Sequence, residues 1–256
     1  MDLFLKSDVE GLLDEHQPPC VSIYLPLHHS GPGAEQDPLR AKRLLRRAED
    51  RLEDGGLDAE RVKRLLRPLR RQFSSSRFFQ EAAAGLAAFC GVDYCRAFFL
   101  PLEVPERLEV GERFYVKPLL PLTEGSRVPP GSATAAKPRK RAAAPVPGSQ
   151  AAQRQAARRF AELVPSGRAS NDVVQVLQAA NQGRIDVLFL EGDADLWGRF
   201  DRSIGGRIQL HPAAEPGDEE LLDAAAALTL SRGGTAYAVA HGEVPGGGAL
   251  AALFRD

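Results

Sequence analysis

Residues 126–149, SRVPPGSATAAKPRKRAAAPVPGS, hold Pro, Ala, Gly and Ser and almost no large apolar side chain. Such a segment cannot bury enough apolar surface to offset the entropy of ordering itself. It therefore predicts a linker of extended, partly polyproline character. It divides the chain into an N-terminal part, residues 1–125, and a C-terminal part, residues 150–256. Each part is long enough to bury a core of its own.

The N-terminal part opens on residues 8–15, read as a short helix with Asp8 as cap and Val9, Leu12 and Leu13 on its apolar side. Cys20–Leu27, CVSIYLPL, alternates as a strand does, and Pro26 closes it. Residues 28–38 carry glycines, prolines and polar groups and read as a loop. A helix follows with Ala41, Leu44, Leu45, Ala48 and Leu52 on one face and Arg40, Arg43, Arg47 and Arg51 on another, stopped by Gly55-Gly56. A second helix carries Val62, Leu65, Leu66, Leu69 and Phe73, and Pro68 within it predicts a kink or a break. Residues 85–90, 96–102 and 114–120 read as strands. The N-terminal part is thus expected to be an α+β module with a basic helical hairpin.

Beyond the linker, residues 150–164 and 171–180 read as helices, the second capped by Ser170 or Asn171. Ile185–Leu190, IDVLFL, is nearly continuous in apolar residues, which predicts a strand at the centre of a sheet. Residues 207–210, 235–240 and 250–254 read as strands, and 218–231 as a helix with acids in its early turns. Helices alternating with buried strands predict an α/β/α domain.

Net charge is −1, but it is unevenly spread. Residues 39–71 hold twelve Lys or Arg against six Asp or Glu, and residues 126–168 hold nine against one. Residues 169–256 hold six against thirteen. Asymmetry of this kind bears on partners rather than on fold. The basic stretches suit a polyanion, since the planar guanidinium fork binds phosphate oxygens. The residues expected to make such contacts are Arg40, Lys42, Arg43, Arg46, Arg47 and Arg51 on the hairpin and Lys137, Arg139, Lys140 and Arg141 in the linker. A solvated helix face and a solubilising linker are the plainer reading of the same charges. No aromatic residues interleave with them, so base stacking is not expected.

Other chemistry is sparse. The cysteines, Cys20, Cys90 and Cys95, give no disulfide framework and no zinc spacing. Buried free thiols in a reducing compartment, hence the cytoplasm, are expected. His28-His29 reads as a solvated loop pair, and Ser22 as strand packing. There is no phosphate-binding GxxxxGK[ST] or GxGxxG motif, and the carboxylates of the C-terminal part form no distinctive acid/base pair. Residues 1–15 have no basic start and no uninterrupted apolar stretch, so no signal peptide is expected. No segment nears the roughly 20 apolar residues of a membrane span.

Four stretches carry a resemblance to a known family: PPCVSIYLPLHHSGPGAEQDPLRAKRLLRRAEDRL at 18–52, GERFYVKPLLPL at 111–122, SNDVVQVLQAANQGRIDVLFLEGDADLWGRFD at 170–201, and GDEELLDAAAALTLSRGGTAYAVAHGEVPGGGALAALFR at 217–255. In their order and spacing the chain resembles the bacterial archaeo-eukaryotic release factor family, and its third subfamily most. The resemblance implies a last domain similar to the α/β/α fold of kink-turn-binding ribosomal proteins. It also implies an RNase H-like middle domain, in whose place this chain has residues 126–149. In release factors the middle domain carries the Gly-Gly-Gln tip that orients water for peptidyl-tRNA hydrolysis. No such tripeptide occurs here, and neither Gln182-Gly183-Arg184 nor Gly205-Gly206-Arg207 replaces it.

The expectation is therefore a non-enzymatic protein without cofactor or metal, associated with the ribosome or with structured RNA in release, rescue or hibernation. Its acidic C-terminal domain is expected to meet a translation factor. A hydrolase acting on nucleotides or tRNA esters and a two-domain protein–protein adaptor are the alternatives.

Overall fold

The computed structural model describes residues 6–14, 16–28, 30–81, 83–123, 149–203 and 206–255. These residues form a mixed α/β protein with seven α-helices and three sheets. They divide into two compact units, one ending at Tyr115 and the other beginning at Val116. Among the described residues no helix is long and apolar enough to cross a membrane. Most of the expected linker, including its basic run, lies outside them.

In chain order the first unit contains α1 (Lys6–Leu13), β1 (Cys20–Pro26), α2 (Gly31–Asp54), α3 (Ala59–Phe73), β2 (Gly85–Cys90), β3 (Cys95–Leu100) and β4 (Arg107–Gly111). The strands form an antiparallel sheet in the order β3-β2-β1-β4. Alternation along β1 sends Val21, Ile23 and Leu25 into a core with Ala41, Leu44 and Ala48 of α2 and Val62, Leu66 and Leu69 of α3. Ser22 and Tyr24 point the other way. There the Ser22 hydroxyl accepts the Tyr115 N–H at 2.9 Å, and the Tyr24 hydroxyl donates to the Tyr115 carbonyl at 2.6 Å. Both faces of the central strands are thereby covered.

Three sequence expectations change here. The loop expected at 28–38 is helix from Gly31 onward, because Pro32 sits in the first turn, where no N–H is needed. The helix continues through Pro38. The strand expected at 114–120 is instead a 3₁₀ turn, Lys117–Leu119, followed by α4 (Leu120–Thr123). Pro118 and Pro121 cannot donate to a ladder, and β4 takes the sheet edge instead. Pro68 does not interrupt α3. It is exposed, so its missing N–H falls on the solvent side while Leu66, Leu69 and Phe73 stay buried.

The thiol reading is also corrected. The β2–β3 register sets Cys90 opposite Cys95, and a disulfide joins them. Cys20 is free and buried, and burial pushes its thiol up to about 12. With Cys90 oxidised, free thiols no longer support a reducing compartment.

The second unit contains α4, α5 (Ser149–Leu163), β5 (Ala169–Ser170), α6 (Val173–Asn181), β6 (Ile185–Glu191), β7 (Trp197–Asp201), β8 (Arg207–His211), β9 (Glu219–Glu220), α7 (Leu221–Ser231), β10 (Thr235–Val239) and β11 (Leu250–Phe254). The main sheet has the order β10-β6-β11-β5, with β10 parallel to β6 and β11 antiparallel to it. The expected central strand is thus internal. Leu188 and Leu190 of β6 pack with Val176 and Leu177 of α6 and Leu222 of α7. Phe189, on its opposite face, packs with Phe160 of α5. Helices therefore lie on both faces of this sheet. Strands β8, β7 and β9 form a second, antiparallel sheet. Asp172, rather than Ser170 or Asn171, caps α6, accepting the Gln175 N–H at 2.8 Å. The expected 218–231 helix starts at Leu221, with Glu220 as its cap.

Candidate nucleic-acid interface

Helices α2 and α3 each bury one stripe and turn the opposite one to solvent. On α2 the structure sorts the expected contact residues into two groups. Arg40 is bound into the fold: it donates to Asp37 at 3.0 Å, to Glu106 at 2.9 Å and to the Pro26 carbonyl at 3.3 Å. Arg51 donates to the Leu108 carbonyl at 2.8 Å. Arg43 is exposed but donates to Glu106 at 3.2 Å. All these partners lie in the first unit itself. Burial raises the Glu106 carboxyl, but the hydrogen bonds and charges of Arg40 and Arg43 outweigh it and hold the pKa below its ordinary value.

Asp37 is 2% exposed and collects the His28 N–H at 2.8 Å, the His28 ring at 2.9 Å and Arg40. His28 is thus a solvated loop residue, as expected, that Asp37 also holds in place; His29 lies outside the described residues. Arg40→Ala would leave a buried carboxylate short of its cation. It is expected to lower stability by about 1–3 kcal/mol, whereas Arg46→Ala should change it by no more than about 0.5 kcal/mol. Urea denaturation of the two variants compares them directly.

Lys42, Arg46 and Arg47 form the second group. They are exposed and, among the described residues, form no ion pair. Helix α3 adds cations that the sequence reading leaves unnamed. Arg64, Arg67 and Arg71 recur at i, i+3 and i+7, opposite the buried Val62, Leu66, Leu69 and Phe73. They too are exposed and without an acidic partner among the described residues. That spacing was available as the signal that finds them. Their helix neighbours are partly neutralised: Arg61 by Asp58, Lys63 by Glu60, and Arg70 by Glu49 of α2. The last pair joins the two helices. By the helical period Lys42 and Arg46 share the Glu49 side of α2, the side that meets α3. The hairpin thus presents six cations that have no acidic partner among the described residues. The other expected residues, Lys137, Arg139, Lys140 and Arg141, lie outside the described residues.

The second unit holds a buried ionisable cluster. Lys117, 3% exposed, donates to the Ala194 carbonyl and lies 3.3 Å from Glu220 and 3.4 Å from Asp195. Glu220 accepts the N–H groups of Leu196 at 3.0 Å, Leu222 at 3.1 Å and Asp223 at 2.8 Å. Asp223 accepts those of Val116 at 2.7 Å and Lys117 at 2.6 Å. These bonds fasten residues 116–117 and 194–196 to the first turn of α7. The partners of Glu220 and Asp223 named here are backbone N–H groups and Lys117, which gives the cluster the character of a staple.

Burial, reinforced by the nearby Glu220 charge, pushes the Asp223 carboxyl up to about 7, against the two N–H bonds and Lys117. The unfolded carboxyl titrates near 3.8. Between about pH 4 and pH 7 the native state therefore holds a proton that the unfolded chain has released, and stability falls as pH rises through that window. The loss approaches about 4 kcal/mol at 1.36 kcal/mol per pH unit. Asp223→Asn, which keeps an acceptor for both N–H groups, should remove this component. Urea midpoints of both proteins at pH 5 and pH 8 measure it; an equal pH response would exclude it.

Among the described residues no group of three or more His, Cys, Asp or Glu side chains is placed to hold a metal ion. No protein-family model matches the chain, and no curated protein matches it. Among solved structures it is similar to an archaeal protein at 13% identity and TM-score 0.32, over 100% of this chain and 99% of the other. It is also similar to an archaeal translation termination factor at 13% identity and TM-score 0.31, over 99% of each chain.

Proposed function

We propose that the chain works by binding RNA at the ribosome, through phosphate contacts on the α2–α3 hairpin, and that it breaks no bond itself. The observation that carries this reading is the set of six hairpin cations, Lys42, Arg46, Arg47, Arg64, Arg67 and Arg71, left without acidic partners among the described residues. The fold takes up Arg40 and Arg51 for its own packing, yet it leaves these six free at a cost in mutual repulsion. A polyanion relieves that repulsion and gains from counterion release.

The sequence resemblance to a release-factor family supports the same reading. The missing Gly-Gly-Gln tripeptide argues against peptide release. The linker run Lys137, Arg139, Lys140 and Arg141 supplies further cations for the same polyanion, and the excess of acids over residues 169–256 favours a protein partner for the second unit, a translation factor being the expected class. Cytoplasmic residence belongs to the same proposal.

Co-sedimentation with ribosomes in low salt tests it. The wild-type chain is expected in the pellet, and a chain with Arg46, Arg64, Arg67 and Arg71 reversed to Glu in the supernatant. A wild-type chain that stays in the supernatant would reject ribosome binding.

A further inference from the structure

A groove of about 600 Å³ lies on the first unit beside α3 and the β2–β3 turn. Leu57, Leu65 and Pro68 line it from the α3 side, and Pro18, Pro19 and Val92 from the loop before β1 and the turn. Val92 is 58% exposed, a large aliphatic surface left in water at the groove. Arg61 and Arg64, one helical turn apart on α3, also line it. Arg64 has no acidic partner among the described residues. Arg61 is held weakly by an exposed pair with Asp58, 3.2 Å apart.

These walls discriminate between occupants. Bases bind best by stacking on a free aromatic face. The one ring in the lining, Tyr94, already packs on His16 and Phe114, at centroid distances of 5.2 Å and 5.5 Å. The rest of the lining is mainly aliphatic and proline surface, suited to a large apolar side chain; two guanidinium groups, Arg61 and Arg64, are placed for carboxylates against one acid, Asp93, which lies 3.4 Å from His16. The lining comes from α3, a loop and a turn, so the groove runs across elements and suits a length of chain.

We propose that this groove docks a short segment of a partner protein in which one or two large apolar side chains are flanked by Asp or Glu. This site is separate from the phosphate contacts of Arg67 and Arg71, and only Arg64 borders both.

Selection of displayed random peptides on the full chain tests the proposal. Enriched peptides are expected to pair Leu, Ile, Phe or Trp with neighbouring acids. Their affinity should fall about tenfold or more in Val92→Glu, which sets a carboxylate against both the apolar contact and the acids. It should change by less than about twofold in the Arg67→Glu/Arg71→Glu chain. Val92 is exposed, so its replacement does not disturb the core. Failure to enrich any peptide, enrichment without acids, or indifference to Val92→Glu would overturn the proposal. If Val92→Glu weakens RNA binding as strongly as peptide binding, the groove belongs to nucleic acid and the proposal falls, while RNA binding by the hairpin stands. Peptide binding that depends on Val92 in a chain that binds no RNA would leave the groove proposal standing alone.

Discussion

Lys117→Met is expected to destabilise the second unit by about 3–5 kcal/mol, the usual consequence of removing one partner from a buried ion pair. Lys117 is the cation facing Glu220 and Asp195 in this cluster. Methionine keeps most of the volume but removes the charge and the donor to the Ala194 carbonyl. Glu220 and Asp223, respectively 6% and 8% exposed, would then face each other with only backbone N–H groups to compensate them. Asp223 would lose the Lys117 charge that opposes its burial and hold its proton more firmly, so the variant should be relatively better folded in acid. Adding Glu220→Gln and Asp223→Asn removes the stranded charges and should recover a good part of the loss. Chemical denaturation of the single and triple variants separates the two effects. A single variant within about 1 kcal/mol of wild type would show that the cluster is not the staple described here.

The second large effect concerns binding. Replacing Arg64, Arg67 and Arg71 together by Ala is expected to lower affinity for structured RNA on the order of several hundredfold in about 0.1 M salt. Each phosphate contact contributes nearly one unit to the slope of log K against log salt, which at that ionic strength corresponds to nearly tenfold per contact. Stability should barely move, because the three side chains are exposed and have no ion-pair or hydrogen-bond partner among the described residues. Arg40→Ala should do the reverse, since its guanidinium is engaged by Asp37 and Glu106. Opposite consequences for arginines on one hairpin would distinguish a binding surface from general basicity.

The contrast shows what the sequence reveals and what it withholds. Strands β1, β2, β6, β10 and β11 are legible because apolar residues alternate or run together in them, and their burial follows. Strand β4 is missed because Leu108 and Val110 are set among Arg107, Glu109 and the charged Glu106. The apolar run at 114–120 misleads because Pro118 denies it a ladder. The first turns of α2 are hidden by Gly31-Pro32-Gly33, which reads as loop until the helix beyond it is seen to continue. Basicity of the hairpin is plain from composition. Which arginines stay free is not, because Glu106 lies far from Arg40 and Arg43 in the chain and reaches them only through the sheet. The Cys90–Cys95 pairing likewise depends on hairpin register, which counting cysteines does not supply.

The central claim is that the hairpin cations bind phosphate and that the α3 stripe shares in it. The most direct measurement is the salt dependence of RNA affinity for the wild-type chain and for the chain with Arg64, Arg67 and Arg71 replaced by Ala. The expected result is a pair of straight lines of log K against log salt, with the variant's slope smaller in magnitude by about 3. Parallel lines, or a wild-type chain with no affinity at the lowest salt, would contradict it.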